Sequence, residues 1–184
     1  TNADTSGGML LSAASTKVRV FANVFGLATF PAGSTPLGQL NYGNSGNGMV
    51  ITTPDNEVRN NIILANGRHG ILLRGNGTTG NIISGNYIGV SVPPGLAALV
   101  SLGNVGDGIH IDGASSTRIG GPANSDANFI AGNRRNGIAL RNGSTSGGWA
   151  NLLQRNRIYG NAQGGSGIGI GDGEYFLASD VSAI

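Results

Sequence analysis

The sequence predicts an all-β protein: a right-handed parallel β-helix, a solenoid of about six three-strand coils with two inserted loops. Three observations support this prediction. Short segments with alternating apolar residues recur along the chain, glycine and asparagine cluster between them, and no segment keeps the 3.6-residue apolar period of a helix for long. Because each repeat holds three strand-sized segments, we expect a triangular coil.

The first strand of each coil carries the pattern glycine, apolar residue, any residue, apolar residue. The pattern occurs six times, and its glycines are 40, 22, 38, 29 and 30 residues apart: 8–11, 48–51, 70–73, 108–111, 137–140 and 167–170. Spacings of 22 to 30 residues fit one coil of a parallel solenoid. The two longer spacings require insertions, which we place at about 27–47 and 90–107.

A second pattern, asparagine followed by any residue and an apolar residue, lies between the glycine patterns. In stacked parallel coils each residue sits ~4.8 Å above its equivalent in the next coil, and asparagine amides in such a column can hydrogen-bond to one another. The sequence therefore predicts a structural ladder along the axis, formed by Asn23, Asn61, Asn86, Asn128 and Asn156.

The composition predicts one folded domain over residues 1–184. Only 20 residues are charged, 11 basic and 9 acidic, but 39% are hydrophobic, so a core can form and disorder is not expected. Residues 174–184 are expected to form an extra strand or a junction.

Several function classes are disfavoured by composition. The chain has no cysteine, so it has no disulfide framework and no thiolate metal site. No apolar run approaches the ~20 residues of a membrane span, and the arginines are scattered rather than gathered in a basic run. We expect no nucleic-acid partner, no membrane insertion, no cofactor and no metal.

Four runs carry a resemblance to a known group of proteins: Asn81-Ile-Ile-Ser-Gly-Asn-Tyr-Ile-Gly89, Gly106-Asp-Gly-Ile-His-Ile-Asp112, Arg118-Ile-Gly-Gly121 and Asn133-Arg-Arg-Asn-Gly-Ile138. They resemble right-handed parallel β-helix repeat proteins of bacterial and archaeal cell surfaces, within the pectate-lyase-like superfamily. The resemblance covers residues 7 to about 173 and implies the fold. It implies no single function, because that superfamily includes polysaccharide lyases, hydrolases, epimerases, tailspikes, adhesins and structural surface proteins.

Enzymatic action on a polysaccharide would need acidic or basic groups in one place. The best concentration is Asp107, His110 and Asp112, since His110 and Asp112 are two residues apart on one strand and face the same side. With Arg74 or Arg141 they form the candidate catalytic set.

A structural interpretation of the same residues is favoured. The predicted register places Asp112 between Arg74 and Arg141 of neighbouring coils, which is an ordinary surface charge ladder. His110 has no titratable neighbour in its column, and His69 is interpreted as a turn residue rather than a metal ligand. The nine acids are otherwise dispersed, so we expect no catalytic site.

An apolar strip on the outside of the predicted coils is an interface candidate. On the third strand it comprises Val24, Ile62, Tyr87 and Phe129, and on the first strand Leu10, Val50 and Leu72. A contiguous exposed apolar strip marks a binding surface, unless the two inserted loops cover it. Both alternatives are open at this point.

The sequence thus favours a non-catalytic structural or adhesive solenoid, extracellular or on the cell surface. A solenoid exposes unpaired strand edges at its ends, and neither end looks capped, so end-to-end self-association is expected. The expected partners are further copies of the chain and a surface polysaccharide. The alternatives are a polysaccharide-active enzyme and a glycan-binding module without catalysis.

Overall fold

A computed structural model describes residues 7–26, 43–91, 100–141, 151–161, 168–170 and 177–179. Five complete coils are described, and each contributes three strands. The first coil has β1 (Gly7–Leu11), β2 (Arg19–Phe21) and β3 (Val24–Phe25); the second has β4 (Asn47–Ile51), β5 (Glu57–Arg59) and β6 (Ile62–Ile63); the third has β7 (Ile71–Arg74), β8 (Ile82–Ser84) and β9 (Tyr87–Ile88).

Between the third and fourth coils lies a short hairpin, β10 (Val90–Ser91) and β11 (Val100–Ser101). The fourth coil has β12 (Ile109–Asp112), β13 (Arg118–Gly120) and β14 (Phe129–Ala131), with a 3₁₀ turn at Asn124–Asp126; the fifth has β15 (Ile138–Arg141), β16 (Leu152–Gln154) and β17 (Arg157–Tyr159). β18 (Ile168–Ile170) and β19 (Leu177–Ser179) belong to a sixth coil. Within the described ranges, no helix has the length and apolar character needed to cross a membrane.

The strands form three parallel sheets, one on each wall of the coil. The first contains β1, β4, β7, β12, β15 and β18, the second β2, β5, β8, β13, β16 and β19, and the third β3, β6, β9, β14 and β17. Within these three sheets every strand pairs in parallel with its equivalent in a neighbouring coil, so the predicted right-handed parallel β-helix is confirmed. β19 pairs with β16 in parallel, which places part of the predicted 174–184 segment in the second sheet.

The core runs along the axis and consists of columns of equivalent residues. In the first sheet Met9 pairs with Met49, Met49 with Ile71 and Ile71 with Ile109, and the same register continues to the fifth coil. Each wall contributes at least one such column to the buried core, because alternate residues of a strand face inward. About half of the side chains of each strand face the core, where charged groups are not accommodated. The small charged fraction of the sequence follows from this arrangement.

Side-chain ladders of asparagine join the coils at the corners. Asn61 donates to Asn86 Oδ1 from both its backbone N–H and its Nδ2, at 2.9 and 3.0 Å, and Asn86 contacts Asn128 in the same way. Asn23 and Asn156 lie at the two ends of this column. The five residues proposed from the sequence therefore lie in one ladder, and its interior members are buried.

A second asparagine ladder runs along another corner, and the sequence interpretation did not include it. Asn66 Nδ2 donates to Asn104 Oδ1, and Asn104 Nδ2 to Asn133 Oδ1, both at 2.8 Å. Asn44 and Asn161 extend this column. Four of the five residues stand four positions before a corner glycine, a spacing that is visible in the sequence.

The second ladder shortens the residue ranges that can be assigned to the two insertions. Asn44 and Asn104 lie within the ranges 27–47 and 90–107 that the sequence suggested as loops, yet their side chains bond to neighbouring coils. Both predicted loops are therefore too long at their C-terminal ends, because the corner segments belong to the solenoid. Residues 27–42 and 92–99 lie outside the described part of the chain.

We expect interior ladder residues to matter far more than terminal ones. Asn86→Ala removes the acceptor of the buried Asn61 N–H and the donor to two backbone carbonyls. Since each buried unsatisfied group costs about 1–3 kcal/mol, the free energy of unfolding should fall by about 2–4 kcal/mol in urea denaturation.

Asn23→Ala is the matched control, because Asn23 is exposed and ends the ladder. It should cost about 1 kcal/mol or less. Equal losses for the two variants would contradict a ladder that works by satisfying buried groups.

Candidate functional site

An open cleft of about 520 Å³ lies against the outer side of β12 and β15. Its lining residues are Asp107, His110, Asp112, Arg134, Arg135, Asn136 and Arg141. Four of the five residues in the candidate catalytic set from the sequence line this cleft, and the fifth, Arg74, is paired with Asp112. The fold thus brings the residues suggested from the sequence close to Arg134, Arg135 and Asn136. These three residues were not suggested from the sequence.

The floor of the site is built from a third kind of column, the residue that precedes each corner glycine. Asn47, His69, Asp107 and Asn136 occupy this position in four successive coils. The backbone N–H of each of the last three donates to the side chain of the coil before: His69 N to Asn47 Oδ1 at 3.1 Å, Asp107 N to His69 Nδ1 at 3.0 Å, and Asn136 N to Asp107 Oδ1 at 2.9 Å. His69 and Asp107 therefore replace asparagine in a hydrogen-bond ladder.

This ladder fixes the tautomer of His69. Because Nδ1 accepts the backbone N–H of Asp107, the proton of the neutral ring is on Nε2. His69 Nδ1 also lies 3.3 Å from Asp107 Oδ2. A nitrogen whose lone pair accepts a hydrogen bond has no proton to donate, so in this state that contact is not an ion pair.

Asp107 uses both of its carboxylate oxygens. Oδ1 accepts hydrogen bonds from the backbone N–H and the Nδ2 of Asn136, at 2.9 and 3.0 Å, and Oδ2 faces His110 Nδ1 at 2.7 Å. The side chain is only 3% exposed. Burial alone would raise the pKa of the carboxyl, but the hydrogen bond from His110 and those from Asn136 hold the pKa well below its usual range. Asp107 is therefore a carboxylate at neutral pH.

His110 is oriented by this carboxylate. Since Asp107 Oδ2 can only accept, His110 Nδ1 carries the proton of that bond, and Nε2 of the neutral ring has the free lone pair. The ring lies 4.3 Å from that of His69, centroid to centroid, and lines the cleft. A histidine whose second nitrogen is held by a carboxylate is the arrangement that general acid–base chemistry uses.

The cleft has a surplus of positive charge. Asp112 forms an ion pair with Arg74 at 3.1 Å, and β12 and β15 place Asp112 beside Arg141 in register. Within the part of the chain that the structure describes, Arg134, Arg135 and Arg141 form no ion pair with a carboxylate. Three exposed guanidinium groups around one cleft favour an anionic ligand.

His69, Asp107 and His110 also contain the donor types of a transition-metal site. Their ligand atoms lie within 4.8 Å of one another. The distances fit hydrogen bonding better: the 2.7 Å between His110 Nδ1 and Asp107 Oδ2 is shorter than the ~3.3 Å that two ligands of one tetrahedral ion with bonds of about 2.0–2.1 Å require. The lone pair of His69 Nδ1 is moreover already used by a backbone N–H.

The interpretation of the two histidines from the sequence did not include Asp107. His69 lies before the corner Gly70 and His110 has Leu72 and Ala139 as its column neighbours, as expected, but both rings also contact Asp107. The register used from the sequence began at each corner glycine and left out the residue before it, which is where His69 and Asp107 align. Gly106 was also missed: a Cβ there would lie 2.7 Å from His69 Nδ1, so only glycine admits this ring.

The predicted apolar strip is only partly exposed. Val50 and Leu72 are 0% and 4% exposed, although they lie outside the core cluster, so they do not belong to a free surface. Leu10 and Val24, in the first coil, are exposed.

Further along the third sheet, Tyr87 and Phe129 stack on each other at 4.9 Å, and Arg157 covers the Phe129 ring. Their facing ring surfaces are therefore occupied by neighbouring coils. Ile62 precedes Tyr87 in the same column and is half-buried.

Comparison with protein-family models, curated proteins and solved structures finds no match to this chain. The function therefore has to be argued from the geometry and charge of the site.

The stability contributed by Asp107 should depend on pH. Its folded-state pKa is depressed, so its contribution is complete above the unfolded value of 3.8 and is lost as the pH falls toward the folded value. Asp107→Asn keeps the acceptor for Asn136 but removes the charge. We expect it to lower the free energy of unfolding by about 1–3 kcal/mol at pH 7, and the difference from the wild type should narrow below about pH 4. A difference that stays constant down to pH 2 in urea titrations would contradict the assignment.

Proposed function

We propose that the protein is an extracellular adhesive β-solenoid that binds an acidic polysaccharide in the cleft beside β12 and β15. The observation that carries this proposal is the group of three arginines, Arg134, Arg135 and Arg141, around one open cleft without carboxylate partners among the described residues. Guanidinium groups bind carboxylates and sulfates in a two-pronged geometry, which gives both affinity and orientation.

The surroundings of the cleft support a charged sugar rather than a neutral one. Neutral sugars are commonly held against the open faces of aromatic rings, but the facing surfaces of Tyr87 and Phe129 contact each other, and Arg157 lies over Phe129. The cleft instead offers arginines, the amide of Asn136 and the ring of His110. A binding surface of this composition selects its ligand by charge.

The shape of the cleft and the fold both support a polymer as the ligand. The cleft is open and lies along the outside of a solenoid, so a long chain can cross it without threading. The resemblance to pectate-lyase-like surface proteins adds to this proposal, because polysaccharides are common ligands in that superfamily. We propose in addition that this chain belongs to that superfamily.

Binding should be selective for acidic polymers. We expect polygalacturonate or alginate to bind and neutral dextran not to bind in calorimetry. Affinity should fall as ionic strength rises from ~0.01 to ~0.15 M, since the screening length shortens from about 30 to about 8 Å.

Single Arg134→Gln and Arg141→Gln substitutions should each weaken binding by about tenfold, near the lower end expected for hydrogen bonds to a charged group. Arg157→Gln is the control, because Arg157 is exposed but lies on the third sheet, away from the cleft. Equal binding of neutral and acidic polymers, or equal losses in all three variants, would refute the proposal.

A second proposal, self-association, is favoured by the edge of the first coil. Leu10, Phe21 and Val24 are exposed there, and within the described residues Asn23 Oδ1 accepts no hydrogen bond, although every interior ladder oxygen does. A further coil, supplied by a second copy, would cover these side chains and continue the ladder.

If this edge pairs with a second copy, sedimentation velocity should show concentration-dependent association. Val24→Glu should reduce it by placing a charge in the contact, whereas Arg155→Gln, at the corner that follows β16 in the fifth coil, should not. Monomers at the highest attainable concentration would count against self-association and leave the polysaccharide proposal unaffected.

A further inference from the structure

We propose that His110 couples binding in the cleft to the uptake of one proton, so that an anion is held tightly at mildly acidic pH and released as the pH rises above neutrality. This inference rests on the proposed binding of an anionic polymer and adds the regulation of that site. The chain contains two histidines, and their different hydrogen bonds decide which of them can take up the proton.

His110 presents an unused nitrogen to the cleft. Its Nδ1 carries the proton of the 2.7 Å bond to Asp107, so the lone pair of the neutral ring is on Nε2, and the ring lines the cleft. Among the described residues no group bonds to this Nε2. A lone pair repels the oxygen of an anion, whereas an N–H at the same place donates a hydrogen bond to it. An anion at Nε2 therefore favours the protonated ring.

Asp107 stabilises the protonated ring from behind. Protonation at Nε2 leaves the bond from Nδ1 in place and turns it into a contact between a cation and a carboxylate. Asn136 holds this carboxylate with two hydrogen bonds, so that it stays directed at His110. The depressed pKa of Asp107 keeps the carboxyl ionised over the whole interval in which histidine side chains ordinarily titrate.

His69 is unsuited to the same role. Its Nδ1 accepts the backbone N–H of Asp107, and its Nε2 already carries the proton of the neutral ring. A second proton would have to go to Nδ1, where it would displace the ladder hydrogen bond. The ring also lies 4.3 Å from that of His110, so two charged rings would repel each other. We therefore expect a single proton, taken up by His110.

The other groups around His110 supply no competing titration. In the neighbouring coils its column partners are Leu72 and Ala139, which carry no charge. Besides Asp107 and His69, the surrounding ionic groups are one carboxylate and four guanidinium groups: Asp112, Arg74, Arg134, Arg135 and Arg141. Carboxyl and guanidinium groups ordinarily keep their charges between about pH 5.5 and about pH 8. A change of anion affinity in this interval is therefore expected to come from His110.

The coupling predicts how the affinity depends on pH. Dextran sulfate is a suitable probe, because its sulfate groups stay ionised throughout this interval, and uncharged dextran is the matched control. We expect dextran sulfate to bind about 10- to 100-fold more tightly at about pH 5.5 than at about pH 8, the range expected for one additional hydrogen bond between charged groups. By linkage, binding should then take up about 0.5–0.8 protons per chain at its maximum.

Calorimetry measures this uptake directly. Dextran sulfate is titrated into the full chain near neutral pH in Bis-Tris, imidazole and Tris, which are buffers with different heats of ionisation and no anionic form. The observed heat of binding should change with the heat of ionisation of the buffer, and the slope gives the number of protons taken up. In protein labelled with ¹⁵N at histidine, added dextran sulfate should place a proton on Nε2 of His110, which NMR detects.

Two substitutions of His110 test the assignment. His110→Asn keeps a donor for Asp107, and His110→Gln extends an amide toward the cleft, but neither side chain takes up a proton. Both variants should still bind at the higher pH and should lose the gain in affinity at the lower pH, together with the proton uptake. His69→Asn is the matched comparison, because asparagine already occupies the equivalent position at Asn47. Whatever its effect on the affinity itself, it should keep the proton uptake.

The outcomes separate this inference from the binding proposal. Binding of dextran sulfate with equal affinity at both pH values, or without proton uptake, would overturn the coupling and leave the binding proposal standing. Proton uptake that persists in both His110 variants, or that is lost only in His69→Asn, would overturn the role of His110. Absence of binding at either pH would overturn the proposed function, and this inference with it.

Discussion

The structure depends on hydrogen bonds between side chains and backbone that run along the solenoid axis. Strands of two to five residues give each coil few ladder bonds of its own, and the sharp corners leave backbone N–H groups buried between coils. Asparagine satisfies them, because its oxygen accepts the N–H of one neighbour while its nitrogen donates to another. Many of the 21 asparagines and 34 glycines of the chain follow from this requirement, glycine at the tight corners and asparagine in the columns.

The candidate site uses the same interaction. At the position before the corner glycine, any side chain with a suitably placed acceptor can receive the N–H of the next coil, and Asn47, His69 and Asp107 all do so. An aspartate or histidine in place of asparagine therefore keeps the hydrogen bond to the next coil. It also adds a side chain that can take up or release a proton. The second carboxylate oxygen of Asp107, which the ladder does not need, is the atom that orients His110.

The sequence predicted the fold well and the site in part, for one physical reason. Core columns repeat the same apolar residue type in coil after coil, as in Met49, Ile71 and Ile109, so periodicity reveals them. The site depends on one column in which the residue type changes from Asn47 to His69 to Asp107, and a search for repeated types passes over such a column. Arg134 and Arg135 stand at a corner where no pattern marks them, and only the fold brings them beside His110.

The central claim is that the corner ladder holds the two histidines in opposite tautomers, His69 with its proton on Nε2 and His110 with its proton on Nδ1. Long-range proton–nitrogen NMR correlation on protein labelled with ¹⁵N at histidine measures this directly. At a pH where both rings are neutral, we expect an unprotonated Nδ1 in His69 and an unprotonated Nε2 in His110. The same tautomer for both rings, or a His110 whose Nε2 carries the proton, would contradict the account of the ladder.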